Sequence, residues 1–145
     1  MTNTKIAVGS DHAGFNLKNA IAKYLTDKGY EVIDKGTYST DSCDYPVYAK
    51  AVAKSVAEKE VEKGILVCGS GVGVSIAANK VKGIRAVLCH EPYSAMLSRL
   101  HNDANVLCLG ERITGEALAF EIVDTWLISK YEGGRHQKRI DMLES

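Results

Sequence analysis

The stretch Gly64-Ile65-Leu66-Val67-Cys68-Gly69-Ser70-Gly71-Val72-Gly73 decides the fold of this chain. Its apolar start is typical of a buried strand, and the glycines after Cys68 indicate a tight turn into a helix. The spacing is not a dinucleotide-binding fingerprint, since Val74 replaces the final glycine, and no lysine follows as in a P-loop. The segment is compatible with an inert thiol beside a plain turn, or with a base beside an anion-binding loop.

The overall composition is typical of a single globular domain of 145 residues. Formal charge is zero, with 18 basic and 18 acidic residues, which argues against nucleic-acid or membrane-surface binding. The N-terminal run Met1-Thr2-Asn3-Thr4-Lys5 lacks a signal-peptide apolar stretch, and no run has the roughly 20 apolar residues of a membrane span. No C-x-x-C pair occurs among the cysteines, so we expect a cytoplasmic protein with reduced thiols, no metal and no cofactor. The cysteines are Cys43, Cys68, Cys89 and Cys108.

Strand-like and helix-like segments alternate five times along the chain. We predict strands over Lys5–Gly9, Tyr30–Ile33, Gly64–Val67, Ile84–Leu88 and Asn105–Leu109. Each strand is followed by a predicted helix. The fourth helix is expected to bury Tyr93, Met96, Leu97 and Leu100, and Thr114 to cap the fifth. This pattern predicts one α/β domain over residues 1–145, with a parallel sheet between two helical layers and a ligand at the carboxyl edge of the strands.

Side chains suited to catalysis follow several of these segments, and we place all of them at that carboxyl edge. They are Asp11 and His12 after the first strand, Cys68 with the glycine loop after the third, His101-Asn102-Asp103 after the fourth helix, Glu111-Arg112 after the fifth strand, and Arg135, His136 and Arg139 in the basic tail. Structural alternatives exist for each group: Asp11 and Ser70 can cap helices, and Arg112 can pair with a nearby glutamate.

This set of groups suits the isomerisation of a sugar phosphate without a metal or redox cofactor. A thiolate can take a proton from the carbon next to a carbonyl, and glycine N–H groups can hold the enediolate. A histidine can protonate the ring oxygen, and arginines can bind phosphate. The sequence contains neither the G-x-S-x-G motif of serine hydrolases nor the H-E-x-x-H motif of zinc proteases.

Six segments together resemble the type B ribose-5-phosphate isomerases, in the family that also holds galactose-6-phosphate and allose-6-phosphate isomerases. The segments are Gly9-Ser10-Asp11-His12-Ala13-Gly14, Asp44-Tyr45-Pro46, Cys68 to Gly73, Ala77-Ala78-Asn79-Lys80, His101-Asn102-Asp103-Ala104-Asn105 and Gly133-Gly134-Arg135-His136. The resemblance implies a Rossmann-like sheet of order 2-1-3-5-4. It also implies a homodimer that can pair into a tetramer, with the tail 133–145 reaching the partner subunit.

The resemblance also implies a role for each candidate residue. Cys68 would shuttle the proton, His101 would open the sugar ring with help from Asp11, and Ser70 would serve the anion hole. The implied substrate-binding residues are Asp11, His12, Tyr45, Gly69, Ser70, Gly71, Val72, Gly73, Asn102, Arg112, Arg135, His136 and Arg139. Ribose 5-phosphate is the expected substrate. The alternatives are a hexose-phosphate isomerase such as one for allose 6-phosphate, a silent sugar-phosphate-binding module and a thiol-dependent redox protein.

Overall fold

Five parallel strands form one sheet at the centre of the protein. The computed structural model describes residues 4–145. Met1–Asn3, part of the segment expected to lack a signal peptide, therefore lies outside the described residues. The strands, β1 to β5 in chain order, are Lys5–Ser10, Glu31–Asp34, Lys63–Cys68, Ala86–Leu88 and Val106–Gly110. Their order is β2-β1-β3-β5-β4, which confirms the predicted topology.

Helices follow each strand, as the alternation predicts. The described residues form helices α1 to α6, which are Phe15–Asp27, Tyr45–Ala57, Val72–Ala78, Pro92–Asn102, Glu116–Ile128 and Arg135–Leu143. A 3-10 turn, His12–Gly14, precedes α1. Within residues 4–145, no helix has the combined length and apolar character of a membrane span.

Side chains of the central strand β3 alternate between two cores. Ile65 and Val67 pack with residues of α1, α4 and α5 on one face of the sheet. Leu66 and Cys68 pack with residues of α2 and α3 on the other face. Because successive strand side chains point to opposite faces, this alternation gives the predicted three-layer sandwich. It also puts the Cys68 side chain in the layer that contains α3.

The connections from β1 and β3 diverge, which opens a crevice at their carboxyl ends. From β1 the chain passes through α1 to β2, at one edge of the sheet. From β3 it passes through α3 to β4, at the opposite edge. Gly14 then packs closely on β3, since a Cβ built there would lie 2.5 Å from the Val67 carbonyl carbon. This close approach brings the turn after β1 beside the thiol that ends β3.

The predicted buried face of α4 is wrong. Tyr93 is 64% exposed, and Met96, Leu97 and Leu100 are only partly buried. The buried positions are Ala95, Ser98 and Arg99. The Arg99 guanidinium donates to the Ala104 carbonyl at 2.7 Å and to the Asp103 carboxylate at 2.8 Å. Hydrogen bonds and small side chains therefore hold this helix face, which an apolar periodicity cannot reveal.

The predicted cap of α5 is also wrong. Gly115 occupies the cap position and makes no side-chain cap hydrogen bond. Thr114 is buried, and its N–H donates to the Gly110 carbonyl at 2.9 Å. Thr114 is therefore part of the turn that ends β5.

The basic tail forms a helix that packs on its own chain. Gly133 and Gly134 have positive φ angles of 71° and 60°, which end the preceding segment, and α6 begins at Arg135. His136 and Ile140 are the buried residues of α6. The other face of α6, with Arg135 and Arg139, is exposed to solvent.

Candidate active site

The thiol of Cys68 lies at the carboxyl end of β3, where the chain turns into α3. The Gly71 N–H donates to Cys68 Sγ at 3.2 Å. Gly71 has a φ of 81°, and a Cβ there would lie 2.5 Å from Leu88 and 2.9 Å from the Leu109 carbonyl carbon. Only glycine fits this turn, and the turn supplies a hydrogen bond of the kind that stabilises a thiolate.

Two of the other cysteines are too deeply buried to act as bases. Burial raises the pKa of Cys89 to about 11, with a smaller contribution from Glu91. Burial also raises the pKa of Cys108 well above its usual range. Cys43 is partly buried in the loop before α2. These positions confirm packing roles for Cys89 and Cys108 and a loop position for Cys43.

Asp11 caps the turn after β1, as one of the two sequence interpretations predicts. Its Oδ1 accepts the N–H groups of Ala13 at 3.0 Å and Gly14 at 3.1 Å. Both bonds use the same oxygen, so neither occupies Oδ2. Asp11 also lines the cavity described below, so capping and ligand contact are compatible here.

His12 is held in the same turn through one ring nitrogen. The Cys43 N–H donates to Nδ1 of His12 at 3.2 Å. In the neutral ring this acceptor role leaves the proton on Nε2, which can then donate to a ligand oxygen. The turn thus orients the Asp11 carboxylate and the Nε2 donor of His12 at the crevice.

A cavity of about 380 Å³ brings these groups together at the carboxyl edge. Its lining includes Asp11, His12, Tyr45, Cys68, Gly69, Ser70, Gly73 and Arg112. These residues, with Gly71 and Val72 of the same loop, are called the carboxyl-edge group. The structure therefore confirms that the first strand, the third strand and the loop after the fifth strand deliver candidate residues to one site.

Close packing explains the small residues in the loop. A Cβ on Gly73 would lie 2.7 Å from the Tyr45 ring, and one on Gly69 would lie 3.1 Å from Nη1 of Arg112. The Ser70 hydroxyl accepts the Val72 N–H at 3.2 Å and can still donate its own proton. The cap position of α3 is Gly71, so the alternative that Ser70 caps this helix is not observed.

Arg112 is available to bind an anion. The backbone N–H of Arg112 donates to the Gly69 carbonyl at 3.0 Å, which holds the residue against the glycine loop. Among residues 4–145 the guanidinium forms no ion pair, and Glu111 instead accepts the Leu17 N–H at 2.8 Å. The alternative of a surface ion pair with a neighbouring glutamate is therefore not observed.

The placement of His101 and Asn102 at the carboxyl edge is wrong. α4 connects the carboxyl end of β4 to the amino end of β5, so its last residues lie at the amino edge. The Gly64 N–H, near the start of β3, accordingly donates to the Asn105 carbonyl at 3.0 Å. Since a strand rises about 3.3 Å per residue, the two ends of β3 are roughly 16 Å apart.

The tail residues also lie at the amino edge, which corrects their predicted location. The rings of His136 and His101 stack with centroids 4.5 Å apart and planes 20° apart. Arg85 links the end of α4 to the residues after α6. Its Nε donates to the Asn102 carbonyl at 2.9 Å, and its guanidinium forms an ion pair with Glu144. The amino-edge group is defined as His101, Asn102, Arg135, His136 and Arg139.

Glu132 lies beside two members of the amino-edge group, and the sequence analysis did not identify it. Its Oε1 lies 3.3 Å from Nε2 of His136 and 3.9 Å from Nε2 of His101. The four-residue spacing from Glu132 to His136 was a usable signal, but His101 is brought in only by folding. The three side chains form the one group among the described residues whose ligand atoms meet the geometry of a possible metal site.

Comparisons with known proteins match nearly the whole chain. The sequence model of the family described as "Ribose/Galactose Isomerase" matches residues 6–143. The chain is 60% identical to ribose-5-phosphate isomerase B of Escherichia coli (strain K12) over 139 residues, which cover 96% of this chain and 93% of that protein. The structure of Clostridium thermocellum ribose-5-phosphate isomerase B matches with a TM-score of 0.97 and 53% identity, covering 97% and 95% of the two chains. The Mycoplasma genitalium ribose-5-phosphate isomerase B structure, with bound ribulose-5-phosphate, matches with a TM-score of 0.93 and 43% identity over 99% and 96%.

Proposed function

The chain belongs to the ribose/galactose isomerase family, and from this membership we propose that it interconverts D-ribose 5-phosphate and D-ribulose 5-phosphate. The observation that carries the proposal is the hydrogen-bonded thiol of Cys68 in a cavity that also holds the glycine loop and Arg112. This cavity combines a base, an anion-binding loop and a cation. The relatives named as ribose-5-phosphate isomerases, one of them with ribulose-5-phosphate bound, support the substrate.

The carboxyl-edge group carries out the proton shift. Sγ of Cys68 takes the proton from C2 of the open-chain aldose, which leaves an enediolate. A proton moves from O2 to O1, and Cys68 returns to C1 the proton that it took from C2. The ketose therefore forms with no net gain or loss of protons. The N–H groups of the glycine loop and the Ser70 hydroxyl hold the charged oxygen.

Ring opening and phosphate binding need the amino-edge group, which one chain keeps at the opposite end of its sheet. A two-fold homodimer can bring the carboxyl edge of one subunit to the amino edge of the other. Each site then combines Cys68 and Asp11 of one subunit with His101 and Asn102 of the partner subunit. His101 of the partner subunit protonates the ring oxygen, and Asp11 assists by taking the proton of the O1 hydroxyl.

The arginines bind the phosphate from both sides of this interface. Arg112 lies in the cavity of one subunit, and exposed Arg135 and Arg139 come from the α6 helix of the partner subunit. Arg135 and Arg139 are four positions apart on a helix, so they share one face. Arginine forks match the geometry of phosphate oxygens, and His12 and His136 add further donors.

A cytoplasmic location fits this chemistry. All four cysteines are free in the structure. A catalytic thiol must stay reduced to accept a proton, and the cytoplasm keeps thiols in that form.

An isomerisation assay in buffer with EDTA tests the proposal. Ribose 5-phosphate and allose 6-phosphate are compared by kcat/KM, and we expect ribose 5-phosphate to be preferred roughly tenfold or more, because one extra carbon must fit the cavity. A preference for allose 6-phosphate would assign a hexose-phosphate isomerase, and binding without turnover would assign a silent module. Activity that falls on chelation and returns with a divalent ion would overturn the metal-free mechanism.

A further inference from the structure

We propose that His101, Glu132 and His136 form a zinc-binding site at the amino edge of each chain. One ligand atom from each of the three side chains lies within 4.8 Å of the other two. Both ring nitrogens already approach the same oxygen, at 3.9 Å from His101 and 3.3 Å from His136. The three side chains are therefore gathered before any metal is added, and the His101 ring, which stacks on that of His136 with planes 20° apart, has only to rotate to aim its nitrogen at the shared point.

Two histidines and a glutamate are a common zinc ligand set. Such three-ligand sites leave a fourth position for water, and their Zn–N and Zn–O bonds are about 2.0–2.2 Å long. In a tetrahedron with these bonds, ligand atoms are about 3.4 Å apart. The 3.3 Å separation between Nε2 of His136 and Oε1 of Glu132 is already close to this value, and Nε2 of His101 lies 3.9 Å from the same oxygen.

The surroundings of the cluster combine fixed ligands with an open entrance. His136 has 9% of its side chain exposed, so packing fixes its ring. The backbone N–H of Glu132 donates to the Leu100 carbonyl at 3.0 Å, which ties the Glu132 backbone to the end of α4. The side chains of His101 and Glu132 are 39% and 49% exposed in the single chain, and in the proposed dimer His101 faces the substrate cavity, so an ion can reach the cluster by the route that substrate takes. With neutral imidazoles the cluster carries one negative charge, which favours a cation.

Zinc at this site would inhibit the proposed isomerase. Coordination occupies the lone pair of Nε2 of His101, so this atom can no longer carry the proton that opens the sugar ring. This consequence rests on the proposed function, whereas zinc binding itself does not. The proposed zinc site is therefore inhibitory and not catalytic, because removing zinc would raise isomerase activity and not abolish it.

The binding test is calorimetric titration of the metal-free protein with ZnCl₂, in a non-chelating buffer with a phosphine reductant. We expect one zinc per chain and at least about tenfold weaker binding in Glu132→Gln, since loss of outer contacts alone weakens metal sites 10–100-fold. Glu121→Gln and His90→Asn are matched controls, because both residues are exposed and lie outside the cluster. We expect both controls to bind zinc like the wild type.

Because Glu132 is half exposed, the Gln variant should keep its fold, and a thermal melt without zinc checks this. His136→Gln gives a second test of the same site. Zinc affinity unchanged in both variants would overturn the proposal. Inhibition is then measured in the isomerase assay, where Glu132→Gln should need at least about tenfold more zinc. Zinc bound at the cluster without inhibition would support the site and count against the ring-opening role of His101.

Discussion

Cys68 differs from the other three cysteines in its hydrogen bonding and its position. It ends a strand, accepts an N–H from Gly71 and lines the cavity, whereas Cys89 and Cys108 are buried away from that cavity. A thiol with a donor at its sulfur can hold the negative charge that a base needs.

Replacing Cys68 with Ala should lower kcat by at least about 10²-fold, because general-base catalysis supplies rate factors of about 10²–10⁴. Substrate binding and the unfolding midpoint should change little. Cys43→Ala is the matched control, with near wild-type kcat expected. Steady-state kinetics measure both variants, and near-normal kcat in Cys68→Ala would show that another group is the base.

Alkylation tests the same residue in the unmodified protein. Substrate should slow the reaction of iodoacetamide with Cys68 more than its reaction with Cys43. Cys89, with a pKa of about 11, should react slowly at neutral pH with or without substrate. Peptide mass spectrometry after timed labelling gives the rate at each cysteine.

His101 is predicted to act on the sugar ring and not on the C2 proton. Ribulose 5-phosphate carries its phosphate on O5, so it stays open-chain, and exchange of its C1 hydrogen with deuterated water needs only the proton shift. His101→Asn should therefore slow turnover of cyclic ribose 5-phosphate more than this exchange. NMR measures both rates, with His90→Asn as control, and equal losses would remove His101 from the ring-opening role.

At the scale of elements, the turn from β3 to α3 determines both stability and site geometry. Gly71 adopts a φ of 81°, while Gly115 at the start of α5 has a φ of −69° and open space around its Cβ position. The two glycines thus form a matched pair, one in a left-handed conformation and one in an ordinary conformation.

Gly71→Ala should lower the free energy of unfolding by about 1–3 kcal/mol or more, because a side chain there is strained and meets the Leu109 backbone. It should also lower kcat, since the Gly71 N–H contacts Cys68 Sγ. Gly115→Ala should cost less than about 1 kcal/mol. Urea denaturation measures both variants, and equal destabilisation would show that the Gly71 turn tolerates a side chain.

On the scale of the whole molecule, each chain carries two proposed half-sites at opposite edges of its sheet. The carboxyl-edge group contains the proposed base and the proposed anion-binding loop, and the amino-edge group contains His101 and the exposed arginines of α6. If the proposed dimer is correct, the two groups meet only between subunits. Variants in different half-sites should then complement each other.

Cys68→Ala and Arg139→Ala homodimers should each be nearly inactive. Unfolding them together and refolding at equal amounts gives about half mixed dimers, each with one intact site and one doubly altered site. Activity should recover to about a quarter of wild type. Mass spectrometry confirms the mixed dimers, and recovery near zero in their presence would refute the shared site.

Local sequence patterns determined where strands and helices alternate along the chain and where the glycine turn lies. Apolar periodicity and glycine reflect the geometry of neighbouring residues, so Gly64–Val67 and the turn after Cys68 could be predicted directly. The order of the strands within the sheet and the role of each individual site residue came from the resemblance to the isomerase family. Boundaries moved by one or two residues because hydrogen bonds between strands set where each strand ends.

Only the tertiary structure decided which side chains meet. The direction of α4 sends His101 away from Cys68, and folding joins His101 to Glu132 and His136 across 31 and 35 positions of sequence. Lys18 is another case, because it is 1% exposed and its ammonium pairs with Asp34 at 2.8 Å, although its sequence context is that of a surface helix. Such contacts depend on how distant elements pack, and local periodicity carries no information about that packing.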